Sequence, residues 1–283
     1  LDEPNLYMVR ADISTSTGRH SMEKRTGFRT FQVGEDGYFY LNGKRIYLKC
    51  SHTGNCMPES GHHFARDPGL MRKDFLMAKA VGFNMIRFIS GCALPLQMDL
   101  CDELGFMVMA ESFDEWAQKK VDNGYNRFFY DWYKRDLANL VNCHKLHPSI
   151  VMWSVGNEVR ELWKPSNKNK LSGATIAQML VGELHRLDPS RPVTAGVNRS
   201  LLAIDLGAAQ VFDIMGVNFH LYQYDEIYAK SGHGLVLGSE TASTVSSRGV
   251  YKFPVEEVKG ARWDDAQCSS YDLNACGWSN LPE

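Results

Sequence analysis

The sequence predicts an α/β protein, a (β/α)8 barrel of the TIM type entered through a short all-β hairpin. Three observations predict it. Seven apolar runs from Arg45 onward alternate with stretches of helical period over about 200 residues, the rhythm of a parallel sheet wrapped by helices. Residues 1–33 follow another rhythm, alternating apolar and polar side chains as an antiparallel hairpin does. No strand runs into a glycine-rich phosphate loop, which weakens the doubly wound sheet as the competing arrangement.

Taken in order, NLYMVRADIST alternates, STGR offers a turn, and HSMEKRTGFRTFQV alternates again, a hairpin unit too small to stand alone. GEDGYFYLNGKRIYLK carries two short strands around Asn42-Gly43, a pair suited to a tight turn. The barrel then begins with RIYLKCS, a helix near Leu70 to Val81, the strand FNMIRF, a helix near Leu96 to Leu104, and FMVMA. A long helix near Phe129 to Lys145 precedes SIVMWSV, and one near Ala174 to Leu187 precedes PVTAG. A short helix around Leu201 to Gly207, the strand DIMGVNF, a short helix near Asp225 to Lys230 and GLVLGSE complete the run. After Glu240 the chain reads as a long polar loop with at most one helix, so no eighth strand is visible. The expectation is a barrel segment over residues 34–283, incomplete at its C-terminus and cut from a longer protein.

At 283 residues and 44% hydrophobic, the chain can bury a full core, which excludes disorder. A net charge of -2 with dispersed Lys and Arg gives no footprint for nucleic acid. No apolar run approaches the roughly 18 residues of a membrane span, and the first residues lack the pattern of a signal peptide. Cysteines 50, 56, 92, 101, 143, 268 and 276 form no CxxC pair, which fits scattered core thiols rather than a disulfide framework or zinc site.

In a parallel barrel the C-terminal ends of the strands converge on one mouth, so polar residues there are candidates for a site. The strand exits offer His52, then Arg87 with Ser90, then Glu111 with Asp114, then Asn157 with Glu158. The later exits offer Asn198, Asn218 with His220 and Tyr222, and Glu240. Carboxylates, amides, one arginine and aromatics suit a polyhydroxylated neutral ligand. Glu158 and Glu240, ending the fourth and seventh strands, can face each other across the mouth, and two facing carboxylates are what glycoside hydrolysis requires. One gives a proton to the leaving oxygen while the other attacks or activates water. Asn157 is placed to hold a sugar hydroxyl, and Arg87 to keep a carboxylate charged.

Plainer readings stand beside these. A Glu past a strand is commonly a helix-cap neighbour or a solvated loop residue, and Arg87 reads equally as a structural partner of Glu111. His52, His62 and His63 lack metal-ligand spacing, so no metal and no other cofactor is expected. Trp132, Trp153 and Trp163 read as core, and Trp116, just past a strand exit, as a sugar platform. A serine-hydrolase elbow is absent.

The string HPSIVMWSVGNE resembles the acid/base motif of glycoside hydrolase family 2, and GFRTFQV, YLNGKRIYLK, GFNMIRF, MDLCDELGFMVMAESFDEW and GLVLGSETAST follow in that family's order. The resemblance covers nearly the whole chain. It implies a retaining exo-β-glycosidase that hydrolyses O-glycosyl bonds, with Glu158 as acid/base, Glu240 as nucleophile and Asn157 on the sugar 2-hydroxyl. It also implies that residues 1–33 are the tail of an immunoglobulin-like β-sandwich. Where many members carry Arg-Thr-Ser-His, this chain has Arg87-Phe88-Ile89-Ser90, and NFHLY leaves His220 or Tyr222 for an aromatic hydroxyl. SETASTVSSRG is most similar to β-galactosidase-type members, so a β-galactoside is the expected substrate, with β-glucuronides and β-mannosides as alternatives. A reading of another class is a non-catalytic carbohydrate-binding barrel or inactive fragment, and a metal-dependent barrel hydrolase is a third. The expected partner is carbohydrate, with a homo-oligomer left open. A signal peptide on the parent protein would imply a periplasmic or secreted location, and its absence a cytoplasmic one.

Overall fold

The computed structural model describes residues 1–53, 68–89, 91, 93–166, 170–232 and 235–241. Strands β1 (Tyr7–Thr15) and β2 (Gly18–Thr26) pair antiparallel from Tyr7 opposite Thr26 to Thr15 opposite Gly18. All of β1 is exposed, so this ribbon has no core of its own, and Arg25 ties it to the barrel through Asp99 at 2.9 Å and Glu103 at 2.7 Å.

A second small sheet follows, β3 (Phe31–Val33), β4 (Phe39–Leu41) and β5 (Lys44–Ile46). Its β4–β5 turn uses Asn42 and Gly43, both at positive φ, the geometry that suits a two-residue hairpin. Phe31 and Phe39 stack at 5.4 Å and join Met85, Met107, Met152, Ile214 and Leu235 in one buried cluster. Phe31 therefore packs with the barrel, whereas the alternating sequence pattern runs its strand on from the hairpin.

The barrel wall is β6 (Cys50–Thr53), β7 (Met85–Phe88), β8 (Met107–Glu111), β9 (Ile150–Asn157), β10 (Val193–Val197), β11 (Met215–Asn218) and β12 (Val236–Glu240). These pair in sequence order, each parallel to the next. Helices α1 (Pro68–Ala80), α2 (Pro95–Leu104), α3 (Phe129–His144), α4 (Gly173–Leu187), α5 (Ser200–Asp205) and α6 (Tyr224–Ser231) alternate with the strands. The expected run RIYLKCS is not one strand. Its ladder stops at Ile46, and Asn84 captures the crossing residues, accepting from Lys49 N–H at 2.8 Å and donating to the Tyr47 carbonyl at 2.9 Å. The sequence beyond residue 241, where an eighth strand was sought, lies outside the described residues.

Strand alternation sorts the side chains. Ile86, Phe88, Val108, Ala110, Trp153, Val193 and Val217 face the helices in the main core, while Met85, Met107, Met109, Met152 and Leu237 fill the barrel interior. The N-terminal end is pinned by a buried cluster. Asp188 accepts from Trp153 Nε1 at 2.9 Å and Arg191 Nη1 at 2.5 Å, and Arg191 also donates to the carbonyls of Ile150, Lys145 and His147. Burial pushes the Asp188 carboxyl up, but Ser190, the Arg191 charge and the Trp153 indole together outweigh it and hold it at about 2. Of the described cysteines only Cys101 is a core thiol, and Cys50 and Cys143 are exposed. Among the described residues no helix is long and apolar enough to cross a membrane.

Candidate active site

The interior turns polar one layer above the methionines, because the next inward positions of the same strands are Arg87, Glu111, Ser154, Asn218 and Ser239. Arg87 and Glu111 are both 0% exposed. One arm of the guanidinium donates to Glu111 at 2.7 Å and Asn157 Oδ1 at 3.0 Å, and the other to Glu240 at 2.8 Å and the Ser239 carbonyl at 3.2 Å. Ser154 adds a 2.8 Å bond to the same Glu111 oxygen. Gly196 makes room for this layer: a Cβ there would lie 2.6 Å from Arg87 Nη2 and 2.9 Å from Asn218 Oδ1.

Asn218 joins the two candidate carboxylates. Its Nδ2 donates to Glu158 Oε1 at 3.2 Å and Glu240 Oε1 at 2.9 Å, while Ser239 Oγ donates to its Oδ1 at 2.7 Å and fixes the amide's orientation. The two bonds share a nitrogen, so their sum caps the separation of the carboxylate oxygens at 6.1 Å. Glu158 also accepts from Asn198 Nδ2 at 2.7 Å, and His220 Nε2 lies 3.3 Å from Asn198 Oδ1.

The backbone at this mouth is unusual for residues with side chains. Glu158, Phe219 and His220 all have positive φ, and strain of this kind persists where surrounding contacts over-determine it. The Glu158 N–H donates to the Gly196 carbonyl at 2.8 Å, and that of Phe219 to the Glu240 carbonyl at 2.6 Å.

The electrostatics differ between groups. Burial pushes the Glu240 carboxyl above the usual glutamate range; Arg87 opposes this and the charge of Glu158 adds to it. Burial and the neighbouring Arg199 charge hold the His220 imidazole below its ordinary value, with Glu158 pulling the other way.

The structure therefore brings together Asn157, Glu158, Asn198, Asn218, His220 and Glu240, and corrects several expectations. Arg87 and Glu111 are buried beneath the mouth, where Arg87 pairs with both Glu111 and Glu240. Trp116 is 0% exposed, its indole N–H donating to the Val155 carbonyl at 2.8 Å, because the chain after β8 folds back into the core; it offers no sugar platform. Tyr222 is 80% exposed and meets His220 Nδ1 at 3.2 Å. Asp114 sits at the rim, paired with Lys120 at 2.7 Å, and His52 lies on β6 in register with Arg87. Ser90, His62 and His63 lie outside the described residues. Ser154, Gly196 and Lys120 carry no strand-exit signal in the sequence, while Ser239, which there only precedes Glu240 and speaks against a serine hydrolase, orients Asn218 in the structure.

Residues 32–244 match the family model described as glycosyl hydrolases family 2, TIM barrel domain. Over its whole length the chain is 30% identical to the β-galactosidase BoGH2A of Bacteroides ovatus, of which it spans 37%. It is 32% identical to the β-glucuronidase of Canis lupus familiaris, over 77% of this chain and 31% of that protein. Among solved structures, a β-glycosidase from Bacteroides vulgatus superposes with a TM-score of 0.71 at 27% identity, over 88% of this chain and 30% of that one. The chain thus spans about a third of the length of these relatives. With the family model matched across the barrel and the polar layer closing its mouth, the chain belongs to glycosyl hydrolase family 2 and carries that family's TIM barrel domain.

Proposed function

We propose that this chain forms the catalytic barrel of a retaining exo-β-glycosidase working by double displacement. The observation that carries the proposal is the Asn218 bridge. Its 6.1 Å cap on the distance between Glu158 Oε1 and Glu240 Oε1 is compatible with the about 5–5.5 Å carboxyl separation of retaining enzymes. Roles follow from the partners. Glu240 accepts from the Arg87 guanidinium at 2.8 Å, which opposes the upward push of burial, while Glu158 accepts from the Asn198 and Asn218 amides. Glu240 is then the group that attacks the anomeric carbon. Glu158 protonates the departing oxygen and, once the glycosyl-enzyme has formed, takes a proton from water. Neither step calls on a cofactor.

The sugar we favour is a β-galactoside, supported by the whole-chain similarity to BoGH2A. A β-glucuronide is the second reading, supported by Arg199, an exposed cation at the β10 exit close enough for His220 to feel its charge. A panel of nitrophenyl β-galactoside, β-glucuronide, β-mannoside and β-glucoside on the intact protein separates them. Glu240→Gln should lower turnover of the preferred member by roughly 10⁴-fold or more, the scale of removing a nucleophile. Azide should rescue Glu240→Ala with inverted product. Wild-type turnover in a folded Glu240→Gln protein rules out the assignment, and calorimetric sugar binding without hydrolysis by the wild type would favour a binding barrel.

A further inference from the structure

The peptide linking Asn157 to Glu158 is held at both ends. Its N–H donates to the Gly196 carbonyl at 2.8 Å, and its carbonyl accepts from Lys120 Nζ at 2.9 Å. Lys120 comes from the loop between β8 and α3. Its ammonium has three acceptors for three protons: the Asn157 carbonyl, Asp114 Oδ1 at 2.7 Å and the Asp114 carbonyl at 3.2 Å. Asp114 in turn accepts from Asn157 Nδ2 at 3.4 Å, so Lys120 holds the main chain directly and the side chain through a carboxylate.

The loop is wound so as to put Lys120 there. Glu115, 3% exposed, accepts the backbone N–H groups of Lys120, Val121 and Asn126 at 2.6, 3.2 and 2.8 Å. Gly124 passes so close that a Cβ would lie 1.7 Å from Glu115 Oε1. The segment after Glu158 is laced to the same loop, since Glu161 accepts from Gln118 N–H at 2.5 Å and Arg160 donates to the Lys119 carbonyl at 2.9 Å. Glu158 itself sits at φ +49°, a conformation unfavourable for any residue with a side chain unless its neighbours impose it.

We propose that Lys120 is a positioning residue for Glu158. By fixing the 157–158 peptide it holds Glu158 in the left-handed conformation that sets its carboxylate beside Asn198 and Asn218. The proposal rests on the reading of Glu158 as the acid/base. Removing the ammonium frees the peptide to rotate, which turns the carboxylate away from the leaving oxygen but leaves Glu240, Arg87, Asn198 and Asn218, none of them bonded to Lys120, in place.

The test is a leaving-group series of β-glycosides of the preferred sugar, from dinitrophenyl to alkyl, on the intact protein and its Lys120→Met, Lys120→Arg and Glu158→Ala variants. For Lys120→Met, kcat/KM on the alkyl glycoside should fall roughly 10–100-fold, a partial loss of the roughly 10²–10⁴-fold that general acid catalysis supplies, and by less than about 3-fold on the dinitrophenyl glycoside. Azide should raise kcat on the activated substrate, and Lys120→Arg should recover most of the loss. A uniform loss across the series, or none, in a Lys120→Met protein with a wild-type melting curve overturns the proposal. Should Lys120→Met fail to fold, Lys120→Gln decides: a steep leaving-group dependence supports positioning, and a flat one overturns it. A flat series for Glu158→Ala removes the acid/base reading and this proposal with it, whereas a steep Glu158→Ala series beside a flat Lys120→Met one removes the Lys120 role alone.

Discussion

Two buried arginine–carboxylate clusters occupy opposite ends of the barrel, and their differences separate structural from chemical use of the same groups. At the N-terminal end the Arg191 donors run to Asp188 and to three backbone carbonyls, and Asp188 is held down at about 2. At the mouth Arg87 faces two carboxylates, its Nε has no hydrogen-bond partner among the described residues, and Glu240 is pushed upward by burial. The lower cluster is satisfied and gains stability from its charges. The upper one holds the Glu240 carboxyl where burial opposes ionisation and Arg87 favours it, the kind of perturbed environment that marks a candidate functional group.

The sharpest way to break this contrast is Arg87→Met. Removing one partner of a buried ion pair leaves uncompensated charge, so stability should drop by about 3–5 kcal/mol, and activity should drop as well because Glu240 loses the cation that keeps it charged. Urea melts and turnover of the preferred nitrophenyl glycoside check both. Adding Glu111→Gln should restore part of the stability, by removing one of the two stranded charges, and none of the activity. If the double variant regains turnover, Arg87 serves Glu111 rather than Glu240.

Arg191→Met should cost about 3 kcal/mol of stability for the same reason while leaving turnover per folded molecule unchanged, since nothing in that cluster reaches the mouth. A fall in kcat at temperatures well below the melting transition would show that the two ends are coupled.

The barrel and its two candidate carboxylates were legible because both rest on periodic signals. Six apolar runs at strand length mark β7 to β12 of the wall, and Glu158 and Glu240 each stand where such a run ends. What was not legible depends on depth and on loops. Arg87 stands near the end of a four-residue strand, where alternation decides between rim and interior; its phase with Met85, two residues earlier, puts it inside. Trp116 follows a strand exit just as a platform would, but the loop turns it into the core against Val155, a contact 39 residues away in sequence. Lys120 meets Asn157 across 37 residues, and no local pattern announces such a pairing. The split of RIYLKCS rests on one asparagine, Asn84, whose side chain mimics a strand partner for the crossing chain.

The smallest effect is also the most direct on the contrast in acidity. Asp188 is depressed from 3.8 to about 2, so the folded state binds its proton less readily than the unfolded chain does. Its contribution, about 2 kcal/mol at 1.36 kcal/mol per unit, is fully present above pH ~4 and is lost as pH falls toward 2. Asp188→Asn should flatten that part of the stability curve and lower the plateau above it. Glu240 has the opposite sign: its carboxyl is raised, so the folded state holds that proton more tightly, and stability from this group declines as pH rises through the folded value. Glu240→Gln should therefore be as stable as wild type in acid and lose less stability on the way to neutral pH. Melting temperatures of the two variants across pH 2–8 should diverge in opposite directions, and curves that run parallel would mean that both arginine clusters serve stability alone.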